Sequence, residues 1–288
     1  MIDYYQNQRT ERKKRRRVKI LIALASFVLI AVVAGIIYFL HSSYSRIEKI
    51  NVTMDVQDSS LEANISQAYQ SVLDGNKSFV FENIFGKNSV FLSLLDGEEI
   101  SKSIENLIPE VSEVKIETNV FSRSVNIVGS DRVKFGLWCY EKNLSDLASA
   151  ATTTPDLSTG TSSNCLWFDR GGTAFLQGPN TEGQLIYKVI DAYDNPVALG
   201  QKILDQDLMD NIAASFDFLD NSGLGYKTIY LSDPKLEEAH TDTSVTPVIY
   251  FSLRNNPTYA LKAFLESKSQ LSKASYVDLR IPNRIYYK

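Results

Sequence analysis

The residues Ile20 to Leu40 read ILIALASFVLIAVVAGIIYFL, with no charged side chain among them. As a helix this run spans about 31 Å at ~1.5 Å per residue, against a bilayer hydrocarbon core of ~30 Å. A core helix of that length would carry a polar face, and this one has none. Before it stand Arg9, Arg12, Lys13, Lys14, Arg15, Arg16, Arg17 and Lys19 against Asp3 and Glu11, a net charge of +6. The positive-inside rule holds such a cluster in the cytoplasm. The expected layout is a cytoplasmic tail over 1–19, a span over 20–41 and an exterior body from 42 onward, a single-pass type II arrangement. Ser43 and Ser45 have the spacing of a signal-peptidase site. The apolar run nevertheless exceeds the ~7–15 residues of a signal core, so a retained anchor is expected. Anionic headgroups account for the basic run more simply than nucleic acid does.

The chain carries 30 basic and 34 acidic residues, net −4, so the part beyond the basic tail is at −10. An acidic exterior body argues against nucleic acid as its partner. Residues 42–288 are enough for one or two domains with real cores. The two cysteines, Cys139 and Cys165, form no C-x-x-C motif. They lie in strand-like runs, GLWCYEK and NCLWFD. Antiparallel pairing of these runs would bring them within bridging distance; the alternative is a pair of buried thiols.

Ile50, Val52 and Met54 alternate on one face of a first strand. Ser59 and Glu62 fit a capping box, and Leu61, Ile65, Ala68 and Val72 follow at helical spacing up to Gly75. Residues 76–95, with Phe79, Phe81, Phe85 and Phe91, read as an inserted hairpin. Asp96 to Glu99 open a second helix whose stripe is Ile100, Ile104, Leu107 and Ile108; Pro109 ends it. Val114 with Ile116, then Val125 with Ile127, mark two strands around a break at Phe121 to Arg123. Strand, helix, helix, strand, strand is enough to close a small core.

A second unit is expected from Val133. Residues 143–164 are low-complexity and read as a mobile loop. Asp169-Arg170-Gly171-Gly172 signals a hairpin. Further strands are expected at Leu185 to Ile190, Lys227 to Leu231, Val248 to Leu253 and Tyr276 to Ile281. One helix carries Leu208, Ile212, Phe216 and Leu219. Another is capped by Asn256 with Pro257 at its first position, and Leu261, Phe264 and Leu265 point inward.

Catalytic patterns are missing from this inventory. His41 falls at the membrane exit and His240 in a polar stretch from Glu237 to Ser244. Glu98-Glu99 and Glu237-Glu238 are adjacent carboxylates, which diverge on a helix. Gly171-Gly172 and Gly223-x-Gly225 lack the lysine of a phosphate loop. No metal-ligand spacing, cofactor motif or enzyme signature is read. An anchored body without chemistry points to binding, and exposed strand edges suit strand addition. Tyr276 to Lys288, with Arg280 and Arg284 among Tyr276, Tyr286 and Tyr287, holds residue types that dominate hot spots.

Several motifs, taken in order, resemble the FtsQ/DivIB family of bacterial cell-division proteins. Ile50-x-Val52 looks like the opening strand of the family's POTRA domain. Leu107-x-Pro109-x-Val111-x-x-Val114 is similar to its helix-to-strand passage. Cys165-Leu-Trp-Phe-Asp169-x-x-Gly172-x-x-Phe175 resembles the hairpin of its β domain. Tyr276-Val-Asp-Leu-Arg280-x-Pro-Asn283 is close to its terminal strand. At the domain junction Asp131-Arg132-Val133-Lys134 lacks the family's proline, and 76–95 and 143–164 look like insertions.

The resemblance implies an α+β fold: one N-terminal transmembrane helix, a POTRA-like βααββ domain over 42–132, and a mainly antiparallel β domain over 133–288. It implies a divisome scaffold in the cell membrane, enriched at the septum. Its partners would be FtsB-like and FtsL-like bitopic proteins and, indirectly, the FtsW–FtsI septal synthase. Partner-binding residues would be Tyr276, Asp278, Arg280, Ile281, Asn283, Ile285 and Tyr286, with a second edge at Ile50, Val52 and Met54. The alternative is a membrane-anchored POTRA adaptor or chaperone in envelope assembly.

Overall fold

The computed structural model describes residues 2–56, 58–75, 88–140, 165–181, 183–192, 196–233 and 237–288. The expected loop over 143–164, and the Phe-rich stretch up to residue 87, lie outside them. The protein is mixed α+β. Its first helix, α1 (Ile2–His41), includes a segment, Val18–His41, of mean hydropathy 3.1. That segment is long and apolar enough to cross a membrane, and none of it is buried. A 3-10 turn, Ser43–Ser45, follows. The buried Ser45 hydroxyl lies within hydrogen-bond reach of the carbonyls of Leu40 and Ser42 and donates its one proton between them, which ties the turn to the helix end.

The chain divides into two compact units, residues 1–104 with 113–129, and residues 105–112 with 130–288. The first holds β1 (Lys49–Met54), α2 (Ser59–Gly75), α3 (Val90–Leu95) and α4 (Gly97–Leu107), then β2 (Val111–Asn119) and β3 (Ser124–Asp131). The sheet order is β1-β3-β2, with β1 parallel to β3 and Lys49 opposite Ser124. Leu61, Ile65, Ala68 and Tyr69 of α2 and Ile100 and Ile104 of α4 are buried, as are Val125 and Ile127 of β3.

Three local expectations change here. Asp58, not Ser59, caps α2: its Oδ1 accepts the amides of Ser60 at 2.9 Å and Leu61 at 3.4 Å. A shorter-reaching hydroxyl one residue later would already sit inside the first turn. The Ser60 hydroxyl, donating to the same oxygen at 2.6 Å, and then these two amides hold the Asp58 carboxyl below the usual range. Leu107 is 58% exposed, because α4 ends there and its stripe leaves the core. The hairpin expected over 76–95 also gives way where the chain is described: Val90–Leu95 forms the helix α3, capped by Ser89, whose side chain accepts the Phe91 amide.

The second unit is one nine-stranded sheet, ordered β12-β11-β10-β9-β8-β7-β4-β5-β6. Its strands are β4 (Gly136–Tyr140), β5 (Cys165–Phe168), β6 (Ala174–Gly178), β7 (Tyr187–Asp191), β8 (Thr228–Asp233), β9 (Glu238–Thr241), β10 (Val248–Ser252), β11 (Tyr276–Asp278) and β12 (Tyr286–Tyr287). Helix α5 (Gln206–Ser222) links β7 to β8; a 3-10 turn with α6 (Leu261–Glu266) and α7 (Lys268–Leu271) links β10 to β11. Parallel neighbours need such crossovers, and β7/β8, β10/β11 and β4/β7 are parallel. The sheet is therefore mixed, with antiparallel pairs elsewhere, rather than a simple meander.

Met209, Ile212, Phe216, Phe218 and Leu219 of α5 pack with Trp138, Phe168, Ile249, Phe251 and Phe264 in one core on the helical face. Side chains alternate along a strand, so Leu137, Cys139 and Cys165 fall on the opposite face with Trp167 and Ile190. Cys139 and Cys165 stand directly opposite in the β4/β5 register and are joined by a disulfide. Of the three residues expected inward on α6, Phe264 is buried and Leu261 packs partly buried against the core, while Leu265 is 46% exposed.

Candidate functional site

The region singled out by composition and resemblance is Tyr276 to Lys288. The chain approaches it from Asn256, whose Oδ1 accepts the Thr258 amide at 2.9 Å and beyond which Pro257 opens the 3-10 turn. The chain then passes through α6 and α7 and enters β11. Tyr276 to Ile281 was expected to be one strand at the margin of the sheet. The structure corrects this. β11 stops at Asp278 and is occupied on both sides, by β10 in parallel and by β12 in antiparallel. Leu279 remains part of the internal ladder, its amide donating to Tyr250 O at 2.8 Å.

The turn after it has a built interior. Asn283 adopts φ 60°, a left-handed conformation that asparagine tolerates. The Arg284 amide closes onto Ile281 O at 3.2 Å. The Tyr259 hydroxyl lies 3.0, 2.8 and 3.2 Å from the carbonyls of Leu279, Ile281 and Arg284. Burial, with the charge of Asp278 second, pushes this phenol up, so it stays a donor. Ile285 is half-buried against the core and anchors the return, while Ile281 is 48% exposed.

Arg280 is committed within the fold. Its Nε and Nη2 grip Asp278 at 2.9 and 2.6 Å, a bidentate fork, and Nη1 donates to Glu238 at 2.8 Å. The guanidinium also lies over the Tyr250 ring at 5.3 Å. Hydrogen bonds to Asp278, followed by those to Glu238, raise the Arg280 pKa further. Burial alone would push Asp278 up, yet Arg280 holds its carboxyl below the usual range. The pair clamps the exit of β11 to β9.

What remains open is β12, which among the described residues pairs only with β11. Tyr287 lies opposite Val277 and Tyr286 opposite Asp278, and the Lys288 amide donates to Tyr276 O at 3.3 Å. In an antiparallel pair hydrogen-bonded residues alternate with outward-facing ones. The inward bond at Lys288 therefore turns the Tyr287 N–H and C=O toward the free side. Tyr287 belongs to the aromatic segment that composition singled out, though it is not one of the individual partner-binding residues named from the resemblance. That its backbone faces outward could not be read from the sequence, because it depends on register.

The second expected edge, β1, pairs only with β3 among the described residues. Ile50, Val52 and Met54 are half-buried, so they serve the unit's own interior. Beside them a groove is lined by Ile47, Glu48, Ile50, Gln70, Leu73 and Asp74, among others.

The remaining chemical candidates are structurally engaged. His240 belongs to β9, not to a loop, and stacks on Tyr230 at 5.6 Å with Tyr250 beyond at 5.9 Å. Glu237 pairs with Arg254 at 2.6 Å, Glu238 with Arg280 and Glu98 with Lys102 at 2.8 Å. Among the described residues no cluster of His, Cys, Asp and Glu could hold a metal ion. No protein-family model matches the chain, and no curated protein matches it.

Proposed function

We propose that the protein is a membrane-anchored scaffold of the bacterial division septum, of the FtsQ/DivIB kind, which captures a partner by strand addition. The observation that carries this reading is the free side of β12, where the Tyr287 N–H and C=O have no partner strand among the described residues. Backbone groups at such an edge supply affinity, and the flanking side chains supply selectivity. Tyr286 and Tyr287 are 43% and 47% exposed and suit that second role. The reading has the basic tail inside, α1 as the span and the first unit as a POTRA-like domain. An FtsB-like protein, with FtsL, would be the partner on the exterior side. Anchoring both in one membrane raises their effective concentration, so a two-residue strand is enough to register a partner already nearby.

The test is a pair of proline variants of the full chain, with capture of the FtsB-like partner and the thermal midpoint as readouts. Tyr287→Pro removes an outward N–H and leaves the β11 bonds in place; Tyr286→Pro removes an inward one. Tyr287→Pro is expected to weaken capture about tenfold or more, equivalent to ~1.4 kcal/mol, at an unchanged midpoint. Tyr287→Ala, which keeps the N–H, should lose less. Undiminished capture by a folded Tyr287→Pro protein would sink the reading, as would a fluorescent fusion that stays evenly peripheral through constriction.

The β1 edge and its groove favour a second reading, a POTRA adaptor for envelope proteins. It differs in expecting capture of unfolded or β-rich clients that competes with residues of β1 and is insensitive to Tyr287→Pro.

A further inference from the structure

Phe121 is fully exposed, at 100% of its surface. It stands at the tip of the β2–β3 hairpin and contributes nothing to the core. The turn that presents it is well held. Asn119 Oδ1 accepts the amides of Phe121 and Ser122, both at 3.1 Å, and Arg123 takes φ 52°. Single exposed apolar residues are ordinary on a protein surface, so exposure alone assigns nothing; what singles this ring out is where its tip stands.

The topology says where the tip is. β1 is parallel to β3 with Lys49 opposite Ser124, so the tip lies at the end of the sheet where β1 begins. The Glu48 amide donates to Arg123 O at 2.8 Å, and the Arg123 guanidinium pairs with the Glu48 carboxylate. That is also the end where the chain leaves α1. Between His41 and Glu48 the backbone includes the Ser43–Ser45 turn, which is tied back to the helix. With ~2 Å per residue in that turn and at most ~3.5 Å elsewhere, Glu48 is within about 20 Å of the helix end; Arg123 lies one strand spacing (~5 Å) away and Phe121 two residues further, so the ring's backbone is within about 32 Å. Tyr44, 71% exposed, sits on the same short connection. Aromatic rings gather at the headgroup level of a bilayer.

We propose that the β2–β3 hairpin tip is a second membrane contact, with Phe121 seated in the headgroup region of the bilayer that α1 crosses. The occupant is a lipid surface and not a protein, because the nearest apolar medium to this tip is the one the span requires. The contact restrains the first unit close to the membrane, in place of a body swinging on a single tether. The inference rests on the reading that α1 spans a bilayer, and the experiment separates the two.

The full chain is reconstituted in phosphatidylcholine vesicles with a shallow spin-labelled lipid. An environment-sensitive dye is attached to Ser122→Cys, beside an intact Phe121. The same dye on Val56→Cys, just past the other end of β1 and 58% exposed, is the control. Cys139 and Cys165 are bonded to each other, so each variant offers one free thiol. Quenching at residue 122 by about half or more is expected, as befits a ring at the headgroup level, with little at residue 56. Adding Phe121→Ser should reduce the quenching severalfold. Vesicle flotation reports the span independently. A protein that floats without quenching at residue 122, with equal quenching at 56, or with quenching indifferent to Phe121→Ser overturns the second contact and leaves the span standing. A protein that does not float, or that alkaline carbonate strips from the vesicles, overturns both.

Discussion

Replacing Tyr259 by Phe deletes one oxygen from the inner side of the terminal turn. That oxygen lies 3.0, 2.8 and 3.2 Å from the carbonyls of Leu279, Ile281 and Arg284. A phenol has one proton, so it donates to one carbonyl at a time, with Ile281 the nearest. The net worth of such a bond is about 1 kcal/mol. Water can reach the Ile281 and Arg284 carbonyls once the hydroxyl is gone, so the full penalty for stranded acceptors does not apply. Leu279 O is partly buried and adds some cost, and the sum is about 1–2 kcal/mol. The loss falls on the turn and on β12, whose hold on β11 is two residues long. The open population of this strap should rise by ~5–30-fold, at tenfold per 1.4 kcal/mol. Native-state amide exchange is the assay. The amides of Ser275 and Lys288, both bonded across β11 and β12, should exchange faster by that factor. The Ile249 amide, bonded to Thr241 Oγ1 at 2.9 Å in the core, should not change, because the opening is local. An equal acceleration at Ile249 would mean that the hydroxyl supports the whole unit. No acceleration at Ser275 and Lys288 would mean that it supports nothing.

Two further perturbations test the second unit. Arg132 donates to Pro109 O at 2.8 Å and Val111 O at 3.0 Å and pairs with Asp169, with side chains only 14% and 17% exposed. Arg132→Met strands a buried carboxylate and should cost about 3–5 kcal/mol, read as a lower urea midpoint; a shift under ~1 kcal/mol would refute the clamp. Arg132→Lys should not restore it, since one ammonium cannot replace the fork. The Asp278 carboxyl is held below its ordinary value by Arg280 after burial has opposed it. A lowered folded pKa adds stability above the unfolded value of about 3.9 that is lost as pH falls through the folded one. The stability gap between the parent and Asp278→Asn should therefore be constant near neutral pH and shrink below about pH 4. A gap that persists unchanged into acid would assign the effect to packing.

Much of the local structure is legible in the residues because local physics writes it. Pro109 ends α4, and Asn256-Pro257 starts its turn, because a missing N–H and a side-chain acceptor act within a few residues. The α5 stripe of Ile212, Phe216 and Leu219 is buried as its 3.6-residue period requires. β9 was not legible. Glu238-Ala-His-Thr241 is short and polar, and it becomes a strand because β8 and β10 offer ladders on both sides. Ser59 lost the cap to Asp58 by a one-residue shift that composition cannot resolve.

By itself the sequence determined one thing firmly: a chain with an apolar helix that no part of the protein has to cover, since length and hydropathy are properties of consecutive residues. It could not determine which side of the terminal segment is free. Tyr276 to Asp278 has the composition of an edge strand, but the chain reverses at Asn283 and places Tyr286 and Tyr287 against it. A strand's edge exists only relative to its neighbours. Pairing between distant segments therefore decides it, and pairing also decides that the Tyr287 backbone, rather than the Arg280 side chain, faces outward.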